Sequence, residues 1–235
     1  MPFSKREAPN CEWCPHRKNC LYELLGTKDA RAAWKDMRLA SPFKPGEVIF
    51  HEGTLPQGVY VVCKGKVKIY KSSRTGQQLT TRIESPGDLV GHVSLLAKDG
   101  PYTGTGEALE PSVISMVDEP TFLQFLQKFP HASLALLREL SRDVRRGENK
   151  ARDIAFKPAR GRLADTLLRM MTAGKPKPIV AGLKRRDLAE MAGLTIETAV
   201  RLLKDFEERG IIKKKDKDLV VVDEPQLRTL AGSAS

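Results

Sequence analysis

The 235-residue chain reads as an α+β protein: an antiparallel β-roll, one long helix, and a small helical unit closed by a β-hairpin. Three observations predict this. Glycines punctuate residues 41–120 at turn-like intervals, separating short runs of β-branched and aromatic residues. Apolar residues recur at spacings of three and four between Pro130 and Phe156, with no proline to interrupt them. After Lys184, two short helical patterns flank a glycine and lead into two short strands.

Composition sets the frame for these elements. An apolar fraction of 40% with 6% aromatics is enough for globular cores. No apolar run approaches the roughly 18 residues of a membrane-spanning helix, and "MPFSKREAPN" has no apolar segment behind its charges. The expectation is a cytoplasmic protein with no membrane partner. In a reducing compartment, clustered cysteines bind metal or act as redox thiols more readily than they form permanent disulfides. The net charge is +11, and residues 151–235 carry 18 basic against 12 acidic side chains. Such an excess points to nucleic acid, the alternative being a solvated basic surface.

Four stretches follow in order: a cysteine-rich segment (1–26), the β-roll (27–128), the long helix (129–156) and a C-terminal unit (157–235). In the first, "CEWCPHRKNC" places Cys11, Cys14 and Cys20 at C-x2-C-x5-C spacing, and the one further cysteine is Cys63. In the roll, "KPGEVIFHEG", "QGVYVVCKGKVKIY", "RTGQQLTTRI" and "SPGDLVGHVSLL" read as strands and turns of an antiparallel barrel or jelly roll. Thr80, Arg82 and Glu84 alternate with Leu79, Thr81 and Ile83, which predicts a strand with one face in a core. His51, His92 and His131 have no ligand partners in sequence and read as structural.

The long helix carries Leu137, Leu140, Val144, Gly147, Ala151 and Ile154 as a narrow a/d seam among many charges. A stripe this narrow suits a homodimer contact better than packing on the chain's own roll. Gly147 weakens the seam, because glycine costs about 1 kcal/mol in a helix interior and fills no hole. The dimer should be marginal.

In the last stretch, Pro158 opens the helix "PARGRLADTLLRMM", and "AGKPKPIVAG" breaks it from the next unit. "LKRRDLAEMAGLTIETAVRLLKDFEERGIIKKKDKDLVVV" predicts a helix through Met191, a turn at Gly193, a second helix capped by Thr195, and a hairpin wing. Leu188, Ala189, Leu194, Val200, Leu203 and Phe206 include the apolar positions available to hold the two helices together, with an outward-facing Val200 as the alternative for that residue. Ile196, Glu197, Thr198 and Arg201 lie near the exposed N-terminal end of the second helix. Arg201 can hold guanine bidentately while Glu197 accepts from cytosine N4, and their i, i+4 spacing puts both on one face. The plain alternative is a surface ion pair between them. Lys184, Arg185, Arg186, Lys204 and "KKKDK" supply charge for phosphate contacts. Neither a nucleophile–base signature nor a phosphate loop accompanies these elements, so no enzyme is expected.

A cysteine cluster, a roll, a long helix and a winged helix-turn-helix, in this order, resemble the Crp/Fnr family of bacterial transcription regulators. "PGEVIFHEG", "VYVVCKGKVKIY" and "PGDLVG" look like its cyclic-nucleotide-binding-type roll, and "LAEMAGLTIETAVRLLKDFEERGII" looks like its DNA-binding motif. Members that bind cyclic AMP carry a glutamate and an arginine–serine pair where this chain has "GHVSLL" and "PYTGTGEAL", so no cyclic nucleotide is expected. The cysteine spacing resembles the oxygen-sensing Fnr branch and implies a [4Fe–4S] cluster on Cys11, Cys14 and Cys20. The family's usual fourth cysteine lies late in the roll, where this chain has Ser115. Cys63 is either the fourth ligand or a small hydrophobe of the roll's core, with His16, a carboxylate or an outside thiol then completing the site. A structural zinc site or a disulfide switch on the same thiols is the alternative, and an iron–sulfur electron carrier is a third reading.

The resemblance also implies a homodimer, palindromic double-stranded DNA and RNA polymerase as partners. Thr195, Glu197, Thr198 and Arg201 would face the bases, with Arg185 and Arg186 at the backbone. Fnr-like proteins have E-x-x-S-R where this chain has "ETAVR", which puts Val200 at the serine position and implies a half-site altered at one base.

Overall fold

The computed structural model describes residues 3–5, 8–97, 100–174, 177–216 and 218–232. The chain divides into two compact units, Met1–Ser72 with Arg82–Arg146, and Ser73–Thr81 with Gly147–Ser235.

The first unit opens with a 3-10 turn, Arg17–Asn19, followed by α1 (Leu21–Leu24) and α2 (Lys28–Met37). Thr27 caps α2 by accepting a hydrogen bond from the Ala30 amide. The roll comprises β1 (Leu39–Phe43), β2 (Val48–Phe50), β3 (Gly58–Lys64), β4 (Val67–Ser72), β5 (Gln78–Glu84), β6 (Leu89–Val90), α3 (His92–Ala97), β7 (Thr105–Ala108) and β8 (Ser112–Asp118). Its two sheets have the strand orders β1-β8-β3-β6 and β2-β7-β4-β5. α4 (Glu119–Lys128) follows, capped by Asp118, and then α5 (Pro130–Phe156).

β3 is buried on both faces, so its alternating side chains feed two different cores. Tyr60 and Val62 join Phe50, Val67, Ile69, Tyr102 and Ile114 in one of them. Val59 and Val61 join Trp34, Phe122, Ala132, Ala135 and Leu136 in the other, which also contains Cys11 and Cys20. The cysteine segment and the first turns of α5 therefore share one apolar cluster.

The second unit contains α6 (Ala159–Met170), β9 (Ile179–Val180), α7 (Arg185–Ala192), α8 (Ile196–Glu208), β10 (Ile212–Lys215), β11 (Asp218–Val221) and α9 (Glu224–Leu230). The wing is a three-stranded sheet in the order β10-β11-β9, because residues read as a break in the sequence pair with β11 at Ile179 and Val180. Leu163, Leu167, Leu188, Leu203, Phe206, Ile211 and Leu227 fill the core. Arg162 donates to the Ala192 and Gly193 carbonyls at 2.9 and 3.2 Å, and Lys150 donates to the Met191 carbonyl. These cations satisfy the C-terminal end of α7, where unpaired carbonyls carry partial negative charge.

In β5 the buried face is the polar one: Thr80 and Glu84 are buried, while Leu79 and Ile83 are only half-buried. Glu84 stands 3.4 Å from Arg82, Arg82 pairs with Asp143, and His92 Nε2 lies 3.3 Å from the same aspartate. The Arg82–Asp143 ion pair lies beside this face, while burial itself works against the charged form of Glu84. Of the two readings of Val200, the outward-facing one holds: it is 47% exposed, one residue beyond the buried Ala199 that takes the inward position.

Candidate functional site

In the first unit, one cavity is lined by all four cysteines, Cys11, Cys14, Cys20 and Cys63, with Pro9, His16, Arg38 and Gly87 among the other lining residues. Several contacts build it. The Cys14 amide donates to the Cys11 carbonyl and the Arg17 amide to the Cys14 carbonyl, so the cysteine segment folds as consecutive tight turns. Glu12 pairs with Lys35 of α2 at 2.9 Å, while Glu23 pairs with Arg17 and, at 3.7 Å, with Arg31. Gly87 has φ +105°, and a Cβ there would fall 2.8 Å from the Asn19 carbonyl group. Only glycine lets the roll's turn come this close to Cys20.

Cys63 comes from β3, whose register with β8 slips between Val62 and Lys64. It packs against the cluster that holds Cys11 and Cys20, on the same side of the strand as Val61. The side chain therefore faces the cysteine segment rather than the interior of the roll. Its Sγ is 3.0 Å from Ser115 Oγ of β8. The strand cysteine and Ser115 of the neighbouring strand are thus adjacent. Burial raises the Cys11 thiol above its ordinary value and pushes Cys20 up to about 11, so both are protonated when free. Among the described residues, no three His, Cys, Asp or Glu side chains are grouped to hold a single metal ion.

The second unit presents α8. Gly193 ends α7 at φ +63°, and Thr195 caps α8 by accepting from the Thr198 amide at 3.2 Å. Inward positions go to Ala199, Leu203 and Phe206. Thr195, Ile196, Glu197, Val200, Arg201 and Lys204 are exposed, and Thr198 is half-buried. Hydrogen bonds from its own amide and from the Thr195 hydroxyl hold the Glu197 carboxyl below its ordinary value. Among the described residues, no ion pair joins Glu197 to Arg201. Arg186 instead pairs with Glu190 of its own helix at 2.7 Å, and Arg185 is half-buried at the start of α7. The exposed face can present a carboxylate, hydroxyls, a methyl surface and a guanidinium together.

On α5, Leu137 and Val144 are 58% and 61% exposed, Leu140 is half-buried, and Gly147, Ala151 and Ile154 are exposed. Leu134, three residues before Leu137, is also exposed beside the stripe.

Residues 41–129 match the cyclic nucleotide-binding domain, and residues 161–230 match the Crp-like helix-turn-helix domain. The cyclic AMP receptor protein of Thermus thermophilus is 29% identical over 171 residues, 73% of this chain and 78% of that protein. The transcriptional activator protein Anr of Pseudomonas protegens is 24% identical over 230 residues, 96% of this chain and 93% of that protein. The chain belongs to the Crp/Fnr family. It is accordingly a DNA-binding transcriptional regulator and not an enzyme. The structure of FixK2 from Bradyrhizobium japonicum has the same fold, with a TM-score of 0.72 at 23% identity over 84% of this chain and 99% of that one.

As a Crp/Fnr regulator the chain has site neighbours that its sequence did not single out. Arg38 and Pro9 line the cysteine cavity although neither carries a motif, and Gly87 lines it as part of "PGDLVG". One signal was available for Cys63: strand alternation puts it with Val61 and opposite Tyr60 and Val62.

Proposed function

We propose that this regulator senses oxygen, redox state or nitric oxide through a [4Fe–4S] cluster held by Cys11, Cys14, Cys20 and Cys63, and that dimerisation and promoter binding depend on it. The observation that carries the reading is the convergence of every cysteine in the chain on one cavity. A cubane cluster takes four soft anionic ligands, and the donor set here is four thiols. The similarity to Anr, covering 96% of this chain, leaves too little outside it to omit the cysteine segment.

When bound, the cluster supplies an oxidisable iron–sulfur centre. The chain's own part is mechanical. With the four thiols tied together, Cys11 and Cys20 hold their places in the apolar cluster that includes Ala132, Ala135 and Leu136 of α5. The opposite stripe of α5, from Leu137 through Leu140, Val144, Gly147 and Ala151 to Ile154, is the homodimer seam. A two-fold dimer presents two α8 helices to half-sites of a palindrome one helical turn apart, with RNA polymerase as the further partner at the promoter. Arg201 and Glu197 read a G·C pair in each half-site, Val200 contacts a thymine methyl, and Thr195 and Thr198 lie beside them. Arg185 and Arg186 contact the backbone.

Anaerobic purification followed by iron and sulfide analysis, with absorption spectra before and after air, tests the sensor. Four irons and four sulfides per chain are expected, with a visible band lost in air. A colourless protein carrying one zinc per chain overturns the cluster and leaves DNA binding intact.

A further inference from the structure

Arg38, immediately after α2, is 2% exposed, yet its hydrogen-bond acceptors are all neutral or thiol groups. Nη1 donates to Cys63 Sγ at 3.7 Å and to Ser115 Oγ at 3.4 Å, and Nη2 donates to the Pro9 carbonyl at 3.3 Å. Its Nε is buried with no hydrogen-bond partner. Among the described residues no carboxylate pairs with it. Burying a guanidinium without a counter-charge is strongly disfavoured, and arginine cannot escape the penalty by losing its proton. An anion is therefore wanted at this place. The cavity that Arg38 lines is ringed by the four cysteines, the groups nearby that can supply one.

We propose that Arg38 is the counter-charge of the cysteine site. Its guanidinium offsets part of the negative charge that four thiolates bring, and its bonds to Pro9 and Cys63 tie the N-terminal segment to the strand cysteine. The proposal rests on the four-cysteine cluster reading. Two consequences follow from charge alone. With the site loaded, the buried cation favours the more negative oxidation state and raises the cluster's reduction potential. With the site empty, the same cation is uncompensated and lowers the stability of the fold.

Arg38→Met removes the charge while keeping much of the length. Its loaded form should titrate at a more negative midpoint potential than wild type in an anaerobic dye-mediated titration, and should lose iron to a chelator several-fold faster. Its metal-free form should melt at a higher temperature than metal-free wild type, so the sign of the stability effect reverses on loading. Arg38→Lys keeps the charge and should hold the potential near that of wild type. If Arg38→Met does not fold, Arg38→Gln carries the same comparisons. An unchanged potential in the neutral variants, or lower melting in both forms alike, overturns the role of Arg38 while the cluster stands. Wild-type protein purified anaerobically without iron and sulfide overturns the cluster reading itself.

Discussion

The cysteine cavity and the outward face of α8 are both polar sites on apolar scaffolds, but they are made differently. The α8 face runs from Thr195 to Arg201 within two turns of one helix, so helical period alone decides what points outward. The cysteine cavity draws on the N-terminal turns, the residue after α2, β3 and the Gly87 turn, and the β3–β8 pairing brings Cys63 to Ser115. A site made by one helix survives changes elsewhere in the fold. A site closed by strand pairing depends on the register of the whole roll.

That difference predicts a graded set of responses. The largest belongs to the strand cysteine: Cys63→Ala should abolish cluster loading, read as iron and sulfide per chain. Because Cys63 Sγ and Ser115 Oγ are 3.0 Å apart, the double change Cys63→Ser with Ser115→Cys should restore most of that iron. A double variant as empty as Cys63→Ala would mean that β3 and β8 do not present interchangeable positions to the site.

Glu84 gives the next effect, on stability. Burial pushes its carboxyl up to about 8 from an ordinary 4.5. Below pH 4.5 both folded and unfolded chains hold this proton. Between pH 4.5 and 8 only the folded chain does, so stability falls as pH rises through that window. Glu84→Gln should remove this slope and raise stability at pH 8 by a few kcal/mol, as read by denaturant melts at several pH values. Its α8 face should bind DNA unchanged in the loaded protein, and weakened binding there would erase the independence of the two sites.

Arg201→Ala should cost about 1–3 kcal/mol of specific DNA affinity and relax preference at one base pair. Arg185→Ala should weaken specific and non-specific DNA alike and reduce the salt dependence of binding. Equal losses on all sequences for both variants would remove the assignment of base reading to α8. Gly147→Ile should act more gently, by filling the open position in the α5 stripe where a Cβ meets nothing within 4 Å. A gain of about 1–2 kcal/mol per side in dimer stability is expected from the added apolar area and helix propensity. Sedimentation of the metal-free protein would detect it; a persistent monomer would disconnect the stripe from dimerisation.

Much of the fold was legible because its signals are local. The turn glycines, the proline-free stretch ending at Phe156, the cap at Thr195 and the turn at Gly193 each act on their nearest neighbours. Alternation in β5 locates two faces without saying which is buried. Here the buried face carries Thr80 and Glu84, with the Arg82–Asp143 ion pair beside it. Val200 shows the same limit on a helix, since Ala199 beside it takes the inward position.

The sequence by itself determined the order of the units, the helix that faces outward and the three clustered thiols. Those follow from spacing along the backbone, which periodicity and residue chemistry report directly. Only the tertiary structure decided that Cys63 faces those thiols, that Ser115 stands beside it and that the buried guanidinium of Arg38 points at both. Strand register and the burial of a charge are set by residues distant in the chain, and no local pattern carries them.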